Sequence, residues 1–264
     1  MYTLADITKV LTEGMAKGEP TVDGLEYEAS PDTEIRGIVT SFVASQHVIG
    51  QAAALGANLI LTHEGAYFSH QDDREWLADD PVYLKKRELA EQSGILLYRY
   101  HDRIHRVRPD GITKGLVSAL GWESFVTDVQ PAWSIAEIPP VPLREAAEHM
   151  KKSLGISYLR AAGDPEMECS RIGFLVGYRG GGRTAVPLFH KENVDLIIAG
   201  EGPEWETPEY VRDAVHQGQD KALIMLGHAE SEAPGMRLLT DELAERFPGL
   251  PVYYVEDRPV FRVL

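Results

Sequence analysis

The apolar run at residues 57–62 constrains the fold more than any other stretch of the chain. It contains apolar and β-branched residues without helical spacing, and it lies between Gly56 and Gly65. Such a run is typical of a strand that is buried on both faces of a parallel sheet. A strand pattern at residues 35–42 and a helix pattern at residues 45–55 precede it, so the three segments are predicted to form a right-handed β-α-β unit.

Later apolar runs repeat this pattern and are predicted as strands, at residues 95–100, 172–177, 194–200, 222–227 and 252–255. The chain is therefore predicted to be an α/β protein of two linked units with mostly parallel or mixed sheets. Four prolines between residues 125 and 142 indicate a linker or an edge segment. We place a smaller α/β unit at residues 124–190, and we assign residues 1–123 and 191–264 to a larger unit with the candidate metal ligands.

The net charge limits the classes of partner. With 41 acidic and 26 basic side chains, the chain carries a formal net charge of −15. A field of this sign repels phosphate backbones and anionic lipid surfaces, so we expect neither a nucleic-acid nor a membrane partner. The same charge favours the binding of cations.

The cysteine content and the N-terminal segment bear on the compartment. Cys169 is the only cysteine, which excludes an intramolecular disulfide and a zinc site built from several thiolates. Leu4, Ile7 and Leu11 share one helical face, so the first segment is predicted as an amphipathic helix and not as a signal peptide. No run approaches the roughly 20 apolar residues of a membrane span. We therefore expect a cytoplasmic protein.

Three predicted strands end in residues that commonly bind metals. His63 and Glu64 follow the first strand, the segment from His101 to His105 follows the second, and His228 with Glu232 follows the third, as the sequence shows. If the strands are neighbours in one sheet, these side chains converge beyond its carboxyl edge. Each pair alone can equally be a helix cap, a solvated turn or a core residue. Imidazoles and carboxylates without thiolates suit zinc, manganese, iron or nickel.

The glycine-rich segment at residues 178–183 has two interpretations. Lying between a predicted strand and a helix, and containing Arg179 and Arg183, it can bind a phosphate through backbone N–H groups. Its spacing matches neither the dinucleotide fingerprint nor the P-loop. The alternative, which we favour, is a flexible turn that needs positive φ angles.

Three segments give the chain a resemblance to a known family. They are residues 57–63, residues 100–121 and residues 227–235. Together they resemble the Nif-three-like dinuclear metal-centre hexameric proteins, also described as GTP cyclohydrolase I type 2-like. The family pattern Gly-His-x-x-(Ser/Thr)-Glu matches the third segment, so the resemblance implies that His228 and Glu232 are metal ligands. It also implies a Nif-three-like fold and a hexamer.

Two positions depart from the family pattern. The first motif is usually His-His, whereas this chain has His63-Glu64. The second is usually His-Thr-Asn-Leu-Asp, and its aspartate ligand is replaced by His105. The exchange preserves three histidines and two carboxylates, which gives the predicted ligands of two divalent ions: His63, Glu64, His105, His228 and Glu232. The alternative is a decayed site with one ion or none.

Two functions remain open at this point. The first is a metal-dependent hydrolase of unknown small-molecule substrate, in which two ions activate a bridging water. In that case His101 or Asp102 orients a ligand or acts as a general base. Cyclohydrolase chemistry on a purine nucleotide is implied by the resemblance alone. The second is a non-catalytic metal-binding or regulatory scaffold that assembles with itself into a hexameric ring.

Overall fold

The computed structural model describes residues 1–15, 18–71 and 73–263. The chain divides into two compact units, which are called here the first unit (residues 1–107 and 236–262) and the second unit (residues 108–235).

The strands are β1 (Tyr2–Thr3), β2 (Gly24–Leu25), β3 (Glu34–Ile35), β4 (Ile38–Ser41), β5 (Leu59–Thr62), β6 (Leu96–Arg99), β7 (Val126–Val129), β8 (Ser134–Pro142), β9 (Arg160–Ala162), β10 (Glu168–Leu175), β11 (Leu196–Ala199), β12 (Ala222–Met225) and β13 (Val252–Tyr254). The α-helices are α1 (Leu4–Leu11), α2 (Gln46–Ala54), α3 (Pro81–Ser93), α4 (Asp102–Arg106), α5 (Gly111–Ala119), α6 (Leu143–Leu154), α7 (Gly182–Lys191), α8 (Thr207–His216) and α9 (His228–Arg246). Short 3-10 helices lie at Glu75–Leu77, Glu123–Phe125 and Gly177–Gly180.

The first unit is built on a five-stranded sheet of order β13-β4-β5-β6-β2. The four strands β13, β4, β5 and β6 are parallel, and β2 pairs antiparallel at the edge. Every residue of β4 and β5 is buried, because helices cover both faces of a parallel sheet. Thr62 pairs with Arg99, so the carboxyl ends of β5 and β6 lie side by side.

Local sequence signals fix the helices of the first unit. Ser45 caps α2 by accepting a hydrogen bond from the backbone N–H of Val48. Asp80 caps α3, which has a proline in its first turn and ends at Gly94 with a φ of 63°. Such caps satisfy backbone groups that a helix leaves unpaired at its ends.

The second unit is built on a six-stranded mixed sheet of order β7-β8-β10-β11-β12-β9. The central strands β10, β11 and β12 are parallel, and the flanking strands are antiparallel. Buried apolar side chains of these strands pack with residues of α7 and α8 in one core, which includes Leu175, Ile197, Leu223, Phe189 and Val211. The carboxyl ends of β11 and β12 lead to Glu201 and His228.

The predicted α/β architecture with two units and mixed sheets is confirmed. Two features of the prediction differ from the structure. Residues 196–199 and 222–225 were assigned to the larger unit, but they pair as β11 and β12 with β10 of the second unit. The strands that lead to His63 and to His228 consequently belong to different sheets and are not neighbours in one sheet.

The proline-rich segment at residues 125–142 also differs from a simple linker. It forms the edge strand β7 and the nine-residue strand β8, which pairs with β10. Two prolines sit inside β8 at positions 139 and 140, beside the register shift between Cys169 and Arg171 of β10. A proline cannot donate to the ladder, so it is tolerated at such an irregularity.

Among the helices in the described part of the chain, none combines the length and the apolar composition needed to cross a bilayer.

Candidate metal centre

Three histidines of the first unit form a cluster at the carboxyl ends of β5 and β6. The rings of His63 and His101 are stacked with centroids 4.5 Å apart, and His105 meets them edge-on at 4.9 and 5.1 Å. One ring nitrogen from each lies within 4.8 Å of the other two. Metal–nitrogen bonds of about 2 Å place tetrahedral ligands about 3.3 Å apart, so a small inward movement lets all three imidazoles bind one ion.

The sheet and one distant carboxylate hold these histidines in place. His63 directly follows β5 and is fully buried, and its backbone N–H bonds to the carbonyl of Phe42 at 3.1 Å. His101 and His105 belong to the start and body of α4. Asp23 accepts hydrogen bonds from the backbone N–H groups of residues 101, 102 and 103 at 2.7–2.9 Å. A carboxylate from another loop therefore caps α4.

Hydrogen bonds to Nδ1 orient two of the imidazoles. His63 Nδ1 lies 3.4 Å from the carbonyl oxygen of Tyr100, and His101 Nδ1 lies 3.0 Å from Asp102 Oδ1. When Nδ1 donates to an oxygen, Nε2 carries the lone pair that binds a metal. These contacts fit a divalent ion of borderline softness, which prefers neutral imidazole.

Glu64 contacts a histidine and a buried arginine of the first unit. Its Oε1 lies 3.5 Å from His101 Nε2, and its Oε2 lies 2.9 Å from the guanidinium of Arg99, whose side chain is 4% exposed. Burial by itself raises the pKa of Glu64, but the hydrogen bond and charge of His101, with the charges of His63 and Arg99, lower it to about 2. Glu64 is therefore an ionised carboxylate that neutralises a buried arginine.

The pKa of His101 responds to the same carboxylates. Burial and the charge of Arg99 lower it, whereas the hydrogen bond and charge of Glu64 and the hydrogen bond of Asp102 raise it above its ordinary value. The same carboxylates that stabilise a proton on His101 also stabilise a metal ion bound to its imidazole.

In the second unit, His228 and Glu232 lie one turn apart at the start of α9. His228 Nε2 is 3.1 Å from Glu232 Oε2, and His228 Nδ1 is 2.8 Å from Glu201 Oε1. The i, i+4 spacing puts the two side chains on one helical face. Glu201 thus orients the imidazole as Asp102 does for His101, so a carboxylate and an oriented histidine face the same space.

Gly177 makes room for this pair. Its φ is +60°, and a Cβ there collides with Glu232 Oε1 and comes within 3.2 Å of His228 Nε2. Its backbone N–H donates to Ser231 Oγ at 2.9 Å. The loop after β10 therefore packs directly on the first turns of α9, and only glycine satisfies both the backbone angle and the space.

The glycine-rich segment is occupied by carboxylates of the protein. The backbone N–H of Gly182, in the first turn of α7, donates to Glu206 Oε2 at 2.7 Å, and Arg179 pairs with Asp110 at 2.9 Å. A carboxylate thus fills the position that a phosphate takes at a helix N-terminus. The flexible turn with positive φ angles is not found either, because Gly180 ends a 3-10 helix and Gly181 has a φ of −69°. Glycine is needed at position 180 for space, since a Cβ there comes within 2.7 Å of the carbonyl oxygen of Glu201.

The predicted residues therefore form two groups. The first unit brings together His63, Glu64, His101, Asp102 and His105, and the second unit brings together His228 and Glu232. The sequence interpretation assigned no site role to Asp23, Arg99 or Glu201. Glu201 follows a buried strand as His63 does, which is a usable signal, whereas Asp23 lies in a loop whose contact with α4 has no local signature.

Comparisons with known proteins agree on one family. A family model described as Duf34/NIF3 (NGG1p interacting factor 3) matches residues 16–259. A protein of Clostridium perfringens named GTP cyclohydrolase 1 type 2 homolog is 27% identical over 223 residues, which cover 81% of this chain and 80% of that protein. The protein of the same name from Escherichia coli K12 is 26% identical over 230 residues, with 84% of each chain covered.

Solved structures share the fold. A Bacillus cereus protein related to NIF3 superposes with a TM-score of 0.78 at 14% identity and covers 100% of both chains. A Staphylococcus aureus protein superposes with a TM-score of 0.75 at 18% identity and covers 100% of this chain and 99% of its own. At this level of identity the likeness establishes the fold alone.

Proposed function

The chain belongs to the Duf34/NIF3 family, and on that premise we propose that it binds divalent metal ions and hydrolyses a small molecule with their help. The observation that carries the proposal is the cluster of three imidazoles, His63, His101 and His105, with two of the rings oriented through Nδ1. We propose His228 and Glu232 as the ligands of the second unit. A bound divalent ion lowers the pKa of a water molecule and so supplies a nucleophile at neutral pH.

His101 is proposed as a ligand, which extends the set predicted from the sequence. Its Nε2 faces Glu64 Oε1, and its Nδ1 is held by Asp102, as expected for a metal-binding imidazole. Asp102 is proposed as a positioning residue instead of a general base. Its Oδ2 already accepts hydrogen bonds from the backbone of Val22 at 3.1 Å and from Arg106 at 3.2 Å.

Two observations bear on the class of the substrate. Relatives carry the name GTP cyclohydrolase 1 type 2 homolog, which motivates a search that starts with nucleotides. The negative charge of the chain disfavours polyanionic substrates that lack a bound cation. We therefore propose that the metal ions are needed for binding the substrate as well as for hydrolysis.

A non-catalytic metal-binding scaffold is the second candidate. It is favoured by the engagement of both carboxylates beside the histidine cluster, since Glu64 pairs with Arg99 and Asp102 pairs with His101 and Arg106. Self-assembly into a hexamer is a further proposal that rests on family resemblance, and light scattering of the purified protein tests it.

Turnover distinguishes the two candidates. The metal-loaded protein is assayed with nucleotides, phosphoesters and amides, in parallel with His228→Ala and with His190→Ala, whose histidine is exposed at the end of α7. The hydrolase proposal predicts turnover in the wild type and in His190→Ala that is lost in His228→Ala. Metal binding without turnover of any of these substrates supports the scaffold.

A further inference from the structure

A fourth histidine of the first unit reaches the cluster from the loop after β5. His70 Nδ1 lies 3.5 Å from Glu64 Oε2, and the His70 ring meets the His101 ring edge-on with centroids 4.9 Å apart. One ligand atom from each of Glu64, His70 and His101 lies within 4.8 Å of the other two. His70 belongs to none of the segments that carry the family resemblance.

The backbone of this loop is shaped so that His70 returns to the sheet edge. Gly65 lets the chain fold back on itself, because a Cβ there comes within 2.8 Å of the carbonyl oxygen of Ser69. Phe68 adopts a φ of 60°, a left-handed conformation that is costly for an aromatic residue. Arg99 then donates to the carbonyl oxygen of His70 at 2.7 Å. These three features fix the backbone of His70 at the sheet edge.

Glu64 and His70 both face the positive charge of Arg99. One guanidinium nitrogen lies 2.9 Å from both Glu64 Oε2 and His70 Nδ1. A guanidinium only donates hydrogen bonds, so the lone pairs of both groups point towards it. The two lone pairs therefore converge on a point where a positive group already lies, which is the arrangement that two ligands of one cation require.

We propose that His70 is a metal ligand, and that with Glu64 and His101 it forms a set of one carboxylate and two imidazoles for a divalent cation. Because His101 also contacts His63 and His105, the two sets form one continuous ligand cluster in the first unit. One carboxylate and several imidazoles suit zinc, cobalt and similar ions of borderline softness. This inference rests on the proposed metal binding and adds a ligand to it.

Cobalt titration tests the assignment. Co²⁺ is added to the metal-free wild type, His63→Ala, His70→Gln and the control His190→Ala, and binding is followed by visible absorption. Glutamine keeps an acceptor for Arg99, so His70→Gln removes the imidazole without removing that contact. We expect Co²⁺ affinity to fall about 10-fold to 100-fold in His70→Gln, and to be unchanged in His190→Ala.

The number of metal-bound imidazoles shows whether His70 is a ligand, because loss of a structural histidine does not change this number. In the Co²⁺-loaded protein, proton NMR resolves paramagnetically shifted ring N–H signals of bound histidines, and His70→Gln is expected to lack one of them. If His63→Ala weakens Co²⁺ binding but His70→Gln keeps the signal count and the Co²⁺ affinity of the wild type, His70 is not a ligand and the other ligands stand. A wild type that binds no Co²⁺ overturns the proposed function itself.

Discussion

At the scale of single residues, the candidate site depends on carboxylates that orient histidines. Asp102 lies beside Nδ1 of His101, and Glu201 lies beside Nδ1 of His228. His63, His101 and His228 were predictable, because ligand-type residues that follow buried strands are visible in the sequence, and Glu232 was predictable from the family pattern that it shares with His228. The pairing of Glu64 with Arg99 was not predictable, since the register that aligns β5 with β6 decides which side chains meet.

Loss of Glu201 is expected to weaken metal binding without unfolding the protein. Its carboxylate fixes the tautomer and orientation of His228, and removal of such a partner typically lowers metal affinity about 10-fold to 100-fold. We expect this loss in Glu201→Ala, measured by calorimetric titration of the metal-free protein with Zn²⁺. Glu201→Gln keeps an oxygen acceptor and should retain more affinity.

Glu204→Ala is the matched control for this prediction. Glu204 lies three residues away in the same loop and pairs with Arg160 at the surface, where its side chain is 73% exposed. Its loss should leave Zn²⁺ affinity unchanged. Equal affinities for Glu201→Ala and Glu204→Ala contradict a positioning role for Glu201.

Lys86 makes the stability of the protein depend on pH in the alkaline range. Lys86 is buried and donates to the carbonyl of Ala66, and burial, partly offset by Asp257 and Glu26, lowers its pKa to about 8. Between about pH 8 and its ordinary pKa near 10.5, Lys86 is neutral in the folded protein but still protonated in the unfolded chain. The unfolded chain then binds more protons, so the free energy of unfolding rises with pH in this window.

Urea denaturation at pH 7, 9 and 10 tests this linkage against Lys86→Met. The free energy of unfolding of the wild type, taken relative to that of Lys86→Met, is expected to increase from pH 8 upwards. Methionine cannot donate to Ala66, which adds an offset that does not depend on pH. Curves for the two proteins that run parallel through this range contradict the lowered pKa.

At the scale of elements, helices with clear caps were predictable, and irregular strands were not. The predicted first helix corresponds to α1, which begins at a capping box formed by Thr3 and Asp6. His63 and His101 were predicted to follow two strands, and these strands correspond to β5 and β6. Residues 125–142 were predicted as a linker or an edge segment, and β7 is indeed an edge strand. The inner strand β8 was not predicted, because prolines lower strand propensity whereas its pairing with β10 supplies the stability.

The helix α4 depends on a cap that comes from elsewhere in the chain. Asp23 satisfies three backbone N–H groups at the start of α4, the helix that carries His105. We expect Asp23→Ala to lower the free energy of unfolding by about 1–2 kcal/mol and to weaken Zn²⁺ binding, because the backbone of His101 loses its anchor. Chemical denaturation and calorimetric titration measure the two effects.

Asp32→Ala provides the comparison for Asp23→Ala. Asp32 is exposed in the same acidic part of the first unit, where only its backbone N–H makes a described hydrogen bond. We expect its stability and Zn²⁺ affinity to match those of the wild type. A stable Asp23→Ala variant with unchanged Zn²⁺ affinity shows that α4 does not need this cap.

At the scale of the whole molecule, the fold class and the family were predictable from sequence, but the division of the chain was not. Alternating strand and helix patterns establish an α/β protein, and the segment at residues 227–235 indicates the family. Apolar runs such as residues 196–199 and 222–225 have the same sequence pattern whichever sheet they join. Only their register with β10 places them in the second sheet, and one sequence contains no direct signal of that pairing.

The proposed function requires that oriented histidines in both units bind divalent metal ions. Its most direct test is the metal content of protein purified without chelators, measured by elemental mass spectrometry for the wild type, His63→Ala and Glu232→Ala. We predict at least about one equivalent of a first-row divalent metal in the wild type and a clear loss in each variant. The wild type and both variants are also incubated with Zn²⁺ and dialysed before a second measurement. Metal binding is contradicted if the wild type holds well under one equivalent and neither variant holds less than the wild type.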